Sequence, residues 1–501
     1  MNIRVQFEGA SYEAEVARMI RLFAQHAVIV FDEGKTVEAI DIFMTISVEF
    51  VGSEASATVT MLPSRDSFRK DLTAKSTSES DLRKTAKRAV MFALHVCLSK
   101  QFGFYQPWGI LTGVRPTKLV HQHVSEKGRK VLLHEVQRLQ EAYLIDPIRA
   151  KMLVEIANKE LDVIPDLYQL QKEVSVYIGI PFCPTHCAYC TFPAYSMVDK
   201  ARYAKPFLEA IVKEIQVLGA WLTEANLTVT SVYVGGGTPT SLMAKELRIV
   251  LEAAKNYLPN PDTWREFCVE AGRPDTITKD RLLVMKELGV DRISVNPQTF
   301  HDDTLHFIGR GHKASLLPSR IELCKEIGFH NINMDLILGL PGENLEHVID
   351  SVTKTIALQP DSITVHTLSY KRSSNVSREK DRYAVADDAT IRAMMAYADH
   401  AIRANGMEPY YLYRQKDILA NLENVGYARP HKEGIYNISI IEEAQTIIGI
   451  GGGSATKCVH PSTGMITTQT NPREPSVYVA TIDQVLAKKI DMLRALYAVL
   501  V

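Results

Sequence analysis

Hydrophobic positions along the chain fall into two styles. Up to about Gly103, short β-rich runs (IRVQF, AVIVF, IFMTISVEF and SATVTML) alternate with helical-period stretches near Tyr12–Ala24 and Asp81–Lys100. Strands paired around Gly52 predict an antiparallel sheet with helices on one side. The stretch TAKSTSESD (73–81) is the most loop-like. From Arg115 to about Asp162, the segments LVHQHVSEKG, KVLLHEVQRLQEAYL and IRAKMLVEIANKEL carry apolar residues at helical spacing and no clustered chemistry.

At Val174 the style changes. The strand candidates VSVYIGI, LTVTSVYV, EFCVEA, DRISVN, HNINMDLIL and DSITVHTL alternate with amphipathic stretches such as AKPFLEAIVKEIQVLGAWL and LEHVIDSVTKTIAL. Six successive strand–helix units predict a parallel sheet with right-handed crossovers and barrel-like closure. The expected fold class is α/β: a partial (βα)6 TIM-like barrel with an N-terminal α+β module and a small C-terminal extension. The expected organisation is an α+β module over 1–105, a helical linker over 106–170, the barrel over 171–375, and a region over 376–501 that closes the active site. Reactive residues are expected at the C-terminal ends of the barrel strands.

Composition narrows the class. The 501 residues are 46% hydrophobic, enough for a large core, and 57 basic against 58 acidic residues leave a net charge of -1. That balance argues against a nucleic acid or membrane held mainly by overall charge, and the front module shows no basic stripe with interleaved aromatics. No run approaches the roughly 18 apolar residues of a spanning helix. The start, MNIRVQFEGASYEAEVARMI, lacks the signal-peptide pattern. Seven cysteines, at 97, 183, 187, 190, 268, 324 and 458, are an odd number with three close together. This suits a metal site in a reducing, cytoplasmic setting better than disulfides.

The close cysteines follow the first barrel strand, in Pro181-Phe-Cys-Pro-Thr-His-Cys-Ala-Tyr-Cys190. The spacing Cys-x3-Cys-x2-Cys puts Cys183, Cys187 and Cys190 on one tight loop, where soft thiolates favour an iron–sulfur cluster, zinc or Cu(I). Three ligands on a four-iron cube leave one iron open. A zinc knuckle completed by His186, or three neighbouring core cysteines, are the alternatives. The second strand ends in Tyr233-Val-Gly-Gly-Gly-Thr-Pro-Thr240, where glycines permit close backbone approach to a ligand.

This cysteine loop followed by a glycine-rich second strand end resembles the radical S-adenosylmethionine (SAM) superfamily. The segments YIGIPFC (177–183), YCTF (189–192), GGGTPT (235–240), SVNPQ (294–298), IGR (308–310) and DLILGLPG (335–342) are similar to the oxygen-independent coproporphyrinogen III oxidase family. The segments PWGILTGVRPTKLV (107–120), EAGRPDTIT (270–278), LSYKRSS (368–374), YYLYRQK (410–416) and ENVGY (423–427) resemble its HemZ-type branch.

The resemblance implies a [4Fe–4S] cluster on Cys183, Cys187 and Cys190, one SAM chelated to it and a second SAM beside it. It implies that Tyr177, Gly236 and Glu270 line the first SAM site, with Tyr177 and Glu270 joining the cysteines as catalytic residues. Tyr189, Gly237, Thr238, Gln298, Arg310, Asp335 and Ser369 would line the second. Glu270, Gln298 and Asp335 are expected to end the third, fourth and fifth strands, and Arg310 to offer a planar fork to a carboxylate. The turn Gly449–Thr456 would close over the ligands, bringing Thr456 in. The implied reaction starts with one electron passed to the sulfonium from a flavodoxin- or ferredoxin-like donor. Two propionate side chains of a tetrapyrrole then lose hydrogen, carbon dioxide and an electron to become vinyl groups. A tetracarboxylate substrate calls for cations at the mouth, and Lys371, Arg372, Arg414 and Lys416 are the candidates.

The sequence departs from the family's oxidases at two positions. Phe192 stands where they carry a fourth cysteine, as in the haem-chaperone branch, and Gly179 stands where they carry a histidine. Three readings follow: an enzyme making protoporphyrinogen IX, a haem-binding or haem-transfer protein, or another radical reaction on a porphyrin. A transfer protein needs an axial ligand, for which His301, His306 and His312 are candidates. Cys97, Cys268, Cys324 and Cys458 read as core thiols, Cys458 also as a candidate extra donor.

Overall fold

The computed structural model of the chain describes residues 1–31, 39–371, 374–379, 382–460 and 463–498, with the backbone alone for 197–202. The chain folds as two compact units, residues 1–113 with 126–154, and residues 114–125 with 155 onward.

The first unit is built on a sheet of β1 (Asn2–Glu8), β2 (Val28–Val30), β3 (Ile42–Val51), β4 (Glu54–Leu62) and β5 (Ser67–Thr73), in the order β2-β1-β3-β4-β5. β3, β4 and β5 are antiparallel, but β1 runs parallel to both β2 and β3. The expected antiparallel sheet is therefore a mixed one. Its cause is the helix Glu13–Phe23, which carries the chain from the end of β1 back to the start of β2 and makes the two strands parallel. Helix residues such as Val16, Ile20, Val90 and Leu94 share one core with Val5, Met44, Ile46 and Val59 of the sheet. The long helix Glu79–Phe102 ends at Gly103, whose φ of 74° provides the left-handed cap.

The second unit holds an eleven-stranded sheet. β6 (Glu173–Ile180) leads into a small two-stranded pair, β7 (Phe182–Cys183) and β8 (Tyr195–Ser196). Then come β9 (Thr228–Gly236), β10 (Glu266–Gly272), β11 (Arg292–Val295), β12 (Ile332–Leu338) and β13 (Ser362–Thr367), each parallel to its neighbour in the sheet. These are the six expected strands in sequential order, with helices between them. One face of these strands is apolar (Val174, Val176, Ile178, Val232, Val234, Val269) and packs in the core with the helices, while alternate positions such as Ser175, Tyr177, Ser231, Tyr233 and Glu270 point to the opposite face.

The barrel does not close. Beyond β13 the sheet continues antiparallel through β15 (Asn424–Ala428) to β14 (Glu408–Tyr413). On the far side β16 (Thr446–Gly451) lies parallel to β6 and is followed by antiparallel β17 (Ala455–Val459) and β18 (Ile466–Thr470). The segment 449–456, expected as a turn, is thus the end of a seventh parallel strand and its reversal into β17. Glycine makes this possible: a Cβ on Gly449 would sit 2.6 Å from the backbone of Ala455. Among the described residues, no helix is long and apolar enough to cross a membrane.

Candidate active site

The C-terminal ends of β6 and β9 to β13 surround a cavity of about 610 Å³. The cysteine loop forms part of its rim, pinned by backbone bonds from Ala188 N to Ile308 O (2.8 Å) and from Thr238 N to Phe182 O (2.7 Å). Cys183 and Cys187 are buried, and Cys190 lines the cavity. The Cys183 thiol lies 3.3 Å from the Thr238 hydroxyl. Burial pushes the Cys183 thiol up to about 12, so a bound metal rather than the protein alone has to make it a thiolate.

The glycines at the end of β9 are required by this loop. A Cβ on Gly237 would lie 2.5 Å from Phe182 O and 3.0 Å from Cys183 Sγ, and one on Gly236, at φ 111°, would lie 2.8 Å from Ile180 O. The close approach expected toward a ligand is here first an approach to the cysteine loop itself.

Tyr177, Tyr189, Gly236, Gly237, Thr238, Glu270, Gln298, Arg310, Asp335 and Ser369 all line the cavity. Thr456 does not. It is fully buried in β17, and its hydroxyl accepts from Gly449 N at 3.0 Å, while its neighbours Ser454, Ala455 and Lys457 reach the cavity. Asp335 sits in the middle of β12 rather than at its end. One Asp335 oxygen accepts from Asn333 Nδ2 at 2.7 Å, and the other lies 3.6 Å from His366 Nε2. Burial alone would raise the Asp335 carboxyl, but His366 and the hydrogen bonds from Asn333 and Thr364 hold it below its usual value. Glu270 behaves oppositely: burial, then the charge of Asp335, raises it to about 8. The cavity therefore presents one ionised and one protonated carboxyl at neutral pH.

Arg310 is not an open fork. Its Nη2 donates to Gly272 O (3.1 Å) and Asn296 O (2.9 Å), its Nη1 to the Tyr189 hydroxyl (3.1 Å), and Nη1 lies 4.0 Å from Cys187 Sγ. It places a fixed positive charge behind the cysteine loop, with Nε, buried without a partner, left as its uncommitted donor. Gln298 adopts φ 67°, held between Asp335 O and Ile337 N, a strained conformation for a non-glycine residue. Its side-chain oxygen is buried without a partner, as is that of Asn296. Asn296 also lines the cavity; it lies within the segment SVNPQ (294–298) but is not among the expected ligand-binding residues. Beside Tyr177, the rings of Tyr233 and Tyr436 stack at 4.7 Å to complete an apolar wall.

At the mouth, Lys371 lines both this cavity and a second one of about 640 Å³, where Arg115, Arg414 and Lys416 gather. Arg414 is buried and donates to Asn421 and Leu422 O, so its charge contributes while its fork is occupied. Arg372 lies outside the described residues. His301 is engaged with His347 O and Asp350, His306 is exposed on the helix Asp302–Phe307, and His312 is buried outside the cavity lining. Cys97, Cys268, Cys324 and Cys458 are all buried core thiols raised by burial.

A sequence profile of the radical SAM superfamily matches residues 177–354. Over 420 residues, 84% of this chain and 83% of the relative, the sequence is 44% identical to the oxygen-independent coproporphyrinogen-III oxidase-like protein HemZ of Bacillus subtilis (strain 168). The chain belongs to the radical SAM superfamily, in its HemZ-type branch. The heme chaperone HemW of the same organism is 37% identical over 194 residues, 39% of this chain and 50% of that protein. The solved coproporphyrinogen III oxidase (HemN) from Escherichia coli shares the fold, with a TM-score of 0.51 and 19% identity over 66% of this chain and 72% of that one.

Radical SAM proteins carry a [4Fe–4S] cluster and SAM, and the residues present fit both. Three cysteines on one pinned loop supply a thiolate set with one iron left over. The unpartnered oxygens of Gln298 and Asn296 are acceptors waiting for donors, and SAM brings an ammonium, an adenine amino group and ribose hydroxyls. Asp335 offers negative charge to a sulfonium or an ammonium, and the Glu270 carboxyl offers hydrogen bonds.

Proposed function

We propose that this chain is a radical SAM enzyme performing the oxygen-independent oxidative decarboxylation of coproporphyrinogen III to protoporphyrinogen IX in the cytoplasm, with a flavodoxin- or ferredoxin-like electron donor. The observation that carries the reading is the shared Lys371: the ligand-lined cavity at the cysteine loop meets a cationic second cavity of about 640 Å³. A tetracarboxylate needs both, one reactive propionate near the loop and cations for the others.

When bound, the cluster and SAM supply the hydrogen-abstracting chemistry. The chain's own residues bind and position. Cys183, Cys187 and Cys190 hold the cluster. Tyr177, Gly236 and Glu270 hold the first SAM. Tyr189, Gly237, Thr238, Gln298, Asp335 and Ser369 hold a second, with Arg310 fixing Tyr189 and the strand ends around it. Tyr177, Tyr233 and Tyr436 exclude water from the reacting carbon. Lys371 and Lys416 attract and orient carboxylates.

The second reading, haem transfer, is favoured by Phe192, which is 55% exposed on the cavity lining next to Cys190 and offers an apolar ring to a macrocycle. One experiment separates the two. The reconstituted, reduced protein is incubated anaerobically with SAM and coproporphyrinogen III, and 5′-deoxyadenosine and protoporphyrinogen IX are measured. Both products establish the oxidase. 5′-Deoxyadenosine alone keeps the radical chemistry and excludes this substrate. Neither product, with stable haem binding, overturns the oxidase in favour of transfer.

A further inference from the structure

A second cluster of metal-ligand side chains lies outside the active-site cavity. His121 on the helix Lys118–Lys127, Glu160 on the helix Pro147–Val163 and Glu442 at the end of the helix Ile435–Glu442 converge in the interior of the second unit. Their side chains are 7%, 0% and 3% exposed. His121 Nε2 lies 2.6 Å from Glu160 Oε2 and 3.8 Å from Glu442 Oε2. One ligand atom from each residue lies within 4.8 Å of the other two.

The hydrogen bonds around the cluster leave its centre unsatisfied. The Tyr168 hydroxyl faces His121 O at 3.4 Å and His121 Nδ1 at 2.7 Å. If that hydroxyl donates to the carbonyl, its oxygen accepts from Nδ1–H, and Nε2 is left with a bare lone pair. That lone pair faces a Glu160 oxygen 2.6 Å away, a contact that needs either a proton on the carboxyl or a cation beside the two. Glu442 Oε1 is satisfied by the Thr117 hydroxyl. Glu160 Oε1 and Glu442 Oε2 are buried with no hydrogen-bond partner. The nearby cations Arg115 and Lys118 pair with Glu443 instead. Two interior carboxylates facing one imidazole are costly without a positive centre.

We propose that His121, Glu160 and Glu442 bind a divalent metal ion of the zinc class, separate from the cluster on the cysteines. One imidazole nitrogen and two carboxylate oxygens, with a position left for water, suit zinc and its borderline neighbours. The hydrogen bond between Nδ1 and Tyr168 is the outer support that metal-binding histidines carry. The ion ties three helices together. One of them, Ile435–Glu442, brings Tyr436, Asn437, Ile440 and Ile441 to the active-site cavity, so the metal braces that wall. This inference does not depend on the oxidase reading.

The test uses the untagged full-length protein with its cluster reconstituted, so that the cysteines are occupied. After dialysis against a chelator, the protein is titrated with zinc and measured by elemental analysis and zinc X-ray absorption. One zinc per chain is expected beside the cluster iron. Its nearest neighbours should be nitrogen and oxygen at about 2.0–2.2 Å, with no sulfur near 2.3 Å. Glu160→Gln should lose the zinc and keep the iron. Tyr168→Phe, a milder change, should weaken zinc binding by roughly 10–100-fold. No zinc taken up, a sulfur shell, or binding unchanged in both variants would overturn the proposal.

Discussion

At the scale of single residues, Gly237 and Glu270 are the most exacting positions. Gly237→Ala drives a methyl group into Phe182 O and Cys183 Sγ, both part of the pinned loop. The fold should persist, while iron per chain after reconstitution falls well below the wild-type value; full iron content would show that the loop can yield. Glu270 makes a pH prediction. In the unfolded chain it ionises near its ordinary 4.5, and in the fold it stays protonated to about 8. Between those values the folded state binds more protons, so its contribution to stability is lost as pH rises through that window. Glu270→Gln should remove up to about 1.4 kcal/mol per pH unit of that slope, read from denaturation midpoints of the SAM-free protein. Much of this site was legible because cysteine spacing and a glycine run are written in consecutive residues. The commitment of Arg310 to Gly272 O, Asn296 O and Tyr189 was not, because its partners are backbone and side-chain groups brought in from distant positions.

At the scale of elements, the six parallel strands were legible from their apolar runs, and the flanking strands were not. β5 turns only Phe68 and Leu72 toward the core, with Lys70 between them, and β16 (TIIGIG) is a short run broken by glycines. What holds β16 in place is equally remote in sequence. Glu214, from the helix Met197–Glu224, accepts from Gly451 N (2.8 Å), Asn471 Nδ2 (3.1 Å), Tyr478 OH (2.5 Å) and Lys489 Nζ (2.5 Å). Lys489 is fully buried and has two acceptors, Glu214 and Gly449 O. The two partners are therefore unequal. Glu214→Ala leaves a buried ammonium without a counter-charge and should cost about 3–5 kcal/mol. Lys489→Met leaves Glu214 three other donors and should cost clearly less. Denaturant titration of the two variants checks the order, and equal losses would mean that Glu214 is not the hub.

At the scale of the whole molecule, net charge and local charge give opposite impressions. A chain of net charge -1 has no overall attraction for the tetra-anionic substrate proposed above, so on that reading the attraction comes from the mouth. There the opposing charge is uneven: Arg115 is paired with Glu443 and Arg414 is buried, while Lys416 is exposed. An exposed lysine acts through water and is screened within about 10 Å at 0.1 M salt. Substrate binding should therefore weaken as salt is raised, and Lys416→Glu should weaken it further while flattening the salt dependence. One exposed charge pair is worth about 0.2–1 kcal/mol, so removing the attraction alone predicts a loss of up to roughly fivefold at low salt. Because Lys416 lines the second cavity and not the first, its replacement should leave SAM binding and cluster content unchanged. Tetrapyrrole affinity measured against ionic strength, for the wild type and Lys416→Glu side by side, decides the matter: parallel curves would place the carboxylates away from this mouth.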